Sequence, residues 1–285
     1  MSSTGRSATT LRVASLQLAL RPRVEEYNLS LVRNTAERLH RESGFDLLVL
    51  PECFNGTFDD EARTISRRGR GFLSELARRL GVCVVGGSLE RREDDGAIFN
   101  STYVFDENGE YVGVYNKRIL FGQEARRRRA GTGRPGVFEL RGWRVGVLIC
   151  ADFWHPELAR EISQEVDLLC IPAETVVPTR EYVSYARTLW FNLAMTRAQE
   201  NAVPVVVSDW AVTQLRAGEE LLVADARRNH FTSGGSSIVD PSARPNLDRI
   251  QSRLSHGGAG ELTAVLDLER VREFRSYRQS VGLLP

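Results

Sequence analysis

From Leu11 to Leu268 the chain alternates short apolar runs with segments of helical spacing, and it does so with few breaks. That alternation confines it to an α/β architecture, because a strand buried on both faces must be covered by helices or by another sheet. Leu11 to Gln17 reads as a strand, Val24 to Glu42 as a helix and Asp46 to Leu50 as a short buried strand stopped by Pro51. Gly71 to Leu80 has helical spacing, and Val82 to Leu89 reads as the strand that follows. Ala97 to Asp106 and Tyr111 to Tyr115 alternate around Glu107-Asn108-Gly109-Glu110, a hairpin signal. Val137 to Leu140 and Trp143 to Ile149 form a second hairpin across Arg141-Gly142. Pro156 to Ser163 and Thr179 to Glu200 are helical, and Asp167 to Ile171, Val203 to Ser208, Ser236 to Asp240 and Glu261 to Leu268 complete the strands.

No repeat and no Pro/Gly/Ser linker divides the chain. The expectation is a leader over residues 1–10 that is disordered, one domain over 11–268, and a tail over 269–285 that packs on a partner subunit. At 285 residues with 42% apolar content there is ample material for a core, which excludes a disordered or disulfide-scaffold class. A formal charge of +1 gives no electrostatic basis for a nucleic-acid partner. No apolar run approaches the ~18 residues that span a bilayer. Cys53, Cys83, Cys150 and Cys170 make no CxxC pair or zinc-spaced cluster, the pattern of a reduced, cytoplasmic, metal-free protein.

One compositional fact stands apart. Of the 38 basic residues, Lys117 is the only lysine. On a solvated surface lysine and arginine serve equally, so a lone lysine is either a chance survivor on the surface or the mark of a place where the guanidinium fork fails and a compact, tunable ammonium is needed.

Cys150 closes the apolar strand WRVGVLIC (143–150), and a turn and a helix starting at Pro156 follow it. A strand–turn–helix junction presents its turn residue at the carboxyl edge of a sheet, where α/β sites form. A helix N-terminus there would lower the thiol's pKa and hold an oxyanion. The commoner fate of a cysteine is burial as a small apolar side chain, which suits Cys53, Cys83 and Cys170. A base for Cys150 is sought in His155, five residues on, or in a carboxylate. Glu52 ends LVLPE (48–52) at a similar strand end, where partial burial raises a carboxyl toward a useful base. It also fits the first turn of a helix after Pro51. Lys117 ends the strand of YVGVYNKRILF (111–121), and Glu124 follows it. Arg126 to Arg129 read as a solvated face. GTGRPG (131–136) matches GxGxxG in form only, since it precedes a strand and contains a proline.

Taken in order, LVLPE, YNKRILFGQE and GVLICADFWHPE resemble the nitrilase (carbon–nitrogen hydrolase) superfamily, as do TRAQEN (196–201) and GGSSIVDPSAR (234–244). The resemblance runs from about residue 11 to 268. It implies a four-layer α-β-β-α sandwich and a catalytic set of Glu52 as base, Lys117 as oxyanion partner, Cys150 as nucleophile and Glu124 as the second glutamate. It implies no cofactor and no metal, a small linear amide as substrate, and a homodimer or larger homo-oligomer with no membrane or nucleic-acid partner. Ala151, Asp152, Phe153 and Trp154, following the nucleophile, are then expected to bind substrate. Ala151-Asp152 favours amides over nitriles, and Phe153-Trp154 in place of an arginine pair disfavours an α-carboxylate at that place. A nitrilase or an acyl transferase on the same triad, and more remotely a non-catalytic binding protein, are the alternatives.

Overall fold

The protein is described by a computed structural model over residues 9–56, 62–133, 136–216, 230–243, 251–254 and 256–284. In chain order the first half contains β1 (Thr10–Gln17), α1 (Glu25–Ser43), β2 (Leu47–Val49), α2 (Ala62–Leu80), β3 (Cys83–Val85), β4 (Leu89–Arg92), β5 (Ile98–Phe105) and β6 (Tyr111–Asn116). The second contains β7 (Gly136–Leu140), β8 (Trp143–Val147), α3 (Pro156–Ser163), β9 (Leu168–Pro172), β10 (Val176–Val177), α4 (Tyr182–Asn201), β11 (Val205–Ser208), β12 (Gln214–Leu215), β13 (His230–Thr232), β14 (Ser237–Val239), β15 (Gln251–Arg253), β16 (Gly260–Asp267) and α5 (Leu268–Ser280).

Two mixed sheets carry the domain. In the first, β1, β2 and β3 run parallel, with β16 antiparallel on one side and the β5 meander on the other. In the second, β8, β9 and β11 run parallel, flanked by β7 and by the β14–β15 pair. Strand sequences explain the stacking. Leu11, Val13, Leu47, Val49, Cys83 and Val85 point between the sheets, against Val147, Cys170 and Val205. The alternate residues Ala14, Leu16, Leu48, Leu50 and Val84 point outward, onto Leu29, Val32 and Ala36 of α1 and Leu73, Leu76 and Ala77 of α2. Both faces of these strands are buried, so they read as unbroken apolar runs rather than alternating ones. α3 and α4 cover the outer face of the second sheet through Ala159, Ile162, Ala194 and Ala198. The result is the α-β-β-α layering. Hydrogen bonds cross between sheets, from Ser15 Oγ to Val207 O and from Ser208 Oγ to Leu16 O, each 2.7 Å.

The expected single strand Val82 to Leu89 is two, because Gly86 and Gly87 break it. Gly87 has φ +57 and a Cβ there would lie 2.1 Å from Pro51 O. α2 begins at Ala62, well before Gly71, carried by a polar, arginine-rich sequence that hides its periodicity. The tail is a helix, α5, whose N-terminus is capped by the Asp267 carboxylate accepting from Glu269 N and Arg270 N. It packs on its own chain: Leu268 and Val271 are buried, and Arg275 and Arg278 donate to Val166 O and Gln199 O. Residues 1–8 of the expected leader, Arg134 and Pro135 of the GTGRPG loop and Arg244 lie outside the described residues, and Thr10 already belongs to β1.

Candidate active site

Five strand ends converge where the two sheets meet. Glu52 follows β2, Lys117 follows β6, Cys150 follows β8, Glu174 follows β9 and Asp209 follows β11. Glu52, Lys117 and Glu124 lie within two per cent of complete burial. The Lys117 ammonium donates to Glu52 Oε1 and to Glu124 Oε2, both at 2.7 Å. Asn100 Nδ2 spans the same two carboxylates, 2.8 Å from Glu52 Oε1 and 3.1 Å from Glu124 Oε1. The second Glu52 oxygen accepts from Glu174 N at 3.1 Å, and Trp210 Nε1 donates to the Glu52 carbonyl at 2.7 Å. Glu52 therefore occupies a turn clamped by two other strand ends, not the first turn of a helix.

Cys150 opens a 3-10 turn, Cys150–Trp154, with φ at +45, a left-handed conformation that non-glycine residues seldom take. Such strain persists where the surroundings overdetermine it, and here it lifts the side chain off the strand end. The thiol lies 3.8 Å from Glu174 O. Burial pushes the thiol's pKa well up, Glu52 adds to the rise through its charge and a side-chain hydrogen bond, and Lys117 opposes it. The direction is opposite to the lowering expected from a helix N-terminus. Burial alone would lower the Lys117 ammonium, but Glu52 and Glu124 outweigh it and hold the group protonated. Burial would raise Glu124, yet Lys117 and Arg128 bring it down to about 2.

Asp152 is placed differently from its expected role. It is fully buried, does not line the cavity over Cys150, and its carboxylate accepts from Arg118 N, Ile119 N, Ile149 N and Tyr115 Oη at 2.7 to 3.0 Å. It pins the segment that bears Lys117 to the turn that bears Cys150. Phe153 is also fully buried, stacked at 6.2 Å on Trp190. Ala151 and Trp154 do line a cavity of about 280 Å³ that opens over Cys150. His155 is exposed and takes no part.

The arginine run also differs from a solvated face. Arg129 and Arg126 fit that description, but Arg128 is 5% exposed and reaches inward to Glu124 and Glu90. A run of like charges gives no periodicity from which to pick out its buried member. Asn100 and Glu174 were missed for a related reason, as polar residues whose partners come from remote strands. TRAQEN supplies a support: Arg197 Nη2 donates to Trp154 O at 3.3 Å, tying α4 to the Cys150 turn. Gly131, from the rejected GxGxxG loop, donates to Lys117 O at 2.7 Å, and a Cβ on it would sit 2.3 Å from Asn116 O. Among the described residues no cluster of His, Cys, Asp and Glu could hold a metal ion, and no helix is long and apolar enough to cross a membrane.

A model of the carbon–nitrogen hydrolase family matches residues 12–276. The chain is 33% identical over 221 residues to a nitrilase of Pyrococcus abyssi (strain GE5 / Orsay), covering 73% of this chain and 74% of the relative. It is 27% identical over 266 residues to N-carbamoylputrescine amidase of Arabidopsis thaliana, covering 87% and 84%. Its fold is similar to the crystal structure of Nit3 of Saccharomyces cerevisiae, a member of branch 10 of the nitrilase superfamily. That likeness has a TM-score of 0.76 at 25% identity and covers 99% of this chain and 98% of the other.

Proposed function

The chain belongs to the carbon–nitrogen hydrolase family, and on that premise we propose that it is an amidase working through a thioester on Cys150. The observation that carries this reading is the Lys117 ammonium held 2.7 Å from both Glu52 and Glu124 beside a strained, buried cysteine. An ammonium has three donors. Two are taken by the carboxylates, which leaves the third for a substrate oxygen.

Glu52 takes the proton of the Cys150 thiol as sulfur attacks the carbonyl carbon. The C=O electron pair moves onto oxygen, where Lys117 and the backbone N–H of Ala151 stabilise it. The tetrahedral centre collapses, the C–N bond breaks and Glu52 hands its proton to the departing nitrogen. Water, deprotonated by Glu52, then attacks the thioester and releases the acid and the thiol. Glu124, tied to Phe121 N, Asn100, Arg128 and Lys117, holds the ammonium in place. Every step uses groups of this chain, and we read the enzyme as needing no cofactor.

The relatives are named for different substrates, so membership alone leaves the substrate open. With Asp152 engaged in backbone contacts, its contribution is to geometry rather than to a choice between amide and nitrile. Four free, buried cysteines suit a reducing, cytoplasmic setting. We also read the protein as a homodimer, as the family resemblance implies. Intact mass spectrometry after incubation with small amides tests the mechanism. An acyl adduct that maps to Cys150 and is absent from C150A supports it; steady amide turnover by C150A overturns it.

A further inference from the structure

A second cavity, of about 350 Å³, lies where the ends of α3 and α4 meet α5, and it shares no lining residue with the one over Cys150. Arg160, Ser163 and Gln164, three and four residues apart, put one face of α3 toward it, and Arg275 enters from α5. Both charged groups in its described lining are guanidiniums, and among the described residues neither forms an ion pair with a carboxylate. Arg275 is fixed in place, since its Nη2 donates to Val166 O at 2.7 Å. Asp167, the carboxylate that acts on it, is already shared by Arg144 at 3.4 Å and Arg272 at 3.8 Å. Three guanidiniums thus surround one buried carboxylate, a surplus of positive charge to which Arg160 adds. Burial pulls the Arg275 pKa down, Asp167 opposes the fall, and Arg144 and Arg272 deepen it. Ser163 is 4% exposed, and its buried hydroxyl has no hydrogen-bond partner.

We propose that this cavity is a binding site for a small phosphate-bearing anion, either free phosphate or the phosphate end of a small ester. The inference stands apart from the chemistry at Cys150. A guanidinium fork matches two oxygens of a phosphate at once, and two forks converging from different helices fix its orientation. Near neutral pH a phosphate carries close to two negative charges, which answers the surplus around Arg275 and Arg160; the single charge of a carboxylate answers half as much. Partial burial strengthens the attraction beyond what exposed arginines would give. A buried hydroxyl without a partner costs free energy, and a phosphate oxygen would supply Ser163 with an acceptor. The phosphate group fills only part of the cavity, and Leu284 gives the remainder an apolar side.

Isothermal titration calorimetry at about 0.15 M NaCl, where loose surface attraction is screened, compares inorganic phosphate, glycerol 3-phosphate, propionate and glycerol. We expect saturable binding of phosphate, of its ester or of both, propionate weaker by about tenfold or more, and no binding of glycerol. Whichever of phosphate and glycerol 3-phosphate binds more tightly names the source of the anion. R160M, a change at an exposed position, should weaken that binding by about tenfold. A second reading needs no variant: in the wild-type protein the bound anion should slow amide hydrogen exchange in α3 and α5 and leave α1 unchanged. Absence of saturable phosphate or ester binding, equal affinity for propionate or glycerol, an unchanged affinity in R160M, or unaltered exchange in α3 and α5 overturns the inference.

Discussion

The Lys117 ammonium donates to Glu52 at 2.7 Å, and both side chains have no exposed surface. The contact joins the ends of β6 and β2 through residues 65 apart in sequence, and it places the chain's single lysine against the carboxylate beside Cys150. A second carboxylate, Glu124, faces the same ammonium at the same distance. The space between them is sized for a compact ammonium.

K117R tests that fit. A planar guanidinium keeps the charge but cannot occupy the gap between two carboxylates and still offer a donor to the oxyanion. We expect kcat/KM to fall by about 10³ or more. Steady-state kinetics beside a thermal melt separates lost chemistry from lost folding, and near-normal activity would refute the placement.

E52Q removes the proposed proton acceptor while keeping the side chain's size. In the proposed mechanism both acylation and deacylation pass through this carboxylate, so turnover should drop by about 10²–10⁴. Rapid-quench measurement of the first turnover checks both halves. A full-rate burst in E52Q would show that Glu52 is not the base for attack.

Arg128 neutralises Glu124 and Glu90 from a buried position. R128M leaves Glu124 to Lys117 and Glu90 to Arg127, each with one hydrogen-bonding cation fewer, and we expect a loss of about 1–3 kcal/mol in urea unfolding. A loss below about 1 kcal/mol would return Arg128 to the ranks of exposed ion pairs.

Acid stability should carry the mark of Glu124. Its carboxyl titrates at about 2 in the folded protein against an ordinary 4.5, because Lys117 and Arg128 outweigh burial. Between those values the unfolded chain binds the extra proton. The stabilisation is therefore complete above the unfolded value and is lost as pH falls through the folded one, by about 3 kcal/mol in all. In E124Q this limb should flatten; an identical acid limb in both proteins would rule the linkage out.

D152N probes the pin between the Lys117 segment and the Cys150 turn. The amide offers one acceptor oxygen where the carboxylate offers two, so at least one of four donors is stranded, at about 1–3 kcal/mol. Because Asp152 acts through its neighbours, kcat should fall more than KM rises, and the effect should appear with every amide tested. A change in KM for one amide alone would instead mean direct contact with substrate.

Apolar patterning in the sequence by itself determined the α/β class, and the lone lysine drew attention to one position. Unbroken apolar runs such as LLVL require burial on both faces, and a lone lysine among arginines stands out before any folding is considered. Glu52, Lys117, Glu124 and Cys150 were singled out together only through the resemblance of their ordered motifs to the carbon–nitrogen hydrolases; taken one by one, Glu52 and Glu124 also fit a helix turn and a surface charge. Tertiary structure alone decided which polar residues turn inward. Arg128 and Arg129 are neighbours of the same type, yet one is buried between two carboxylates and the other exposed beside Asp95. Asp152 and Trp154 are two residues apart, yet one pins backbone and the other lines the cavity. Asn100 and Glu174 gain their roles from strands that approach only after both sheets have stacked. The reason is physical: apolar patterning is local and periodic, whereas a buried polar group is defined by partners brought to it from distant parts of the chain.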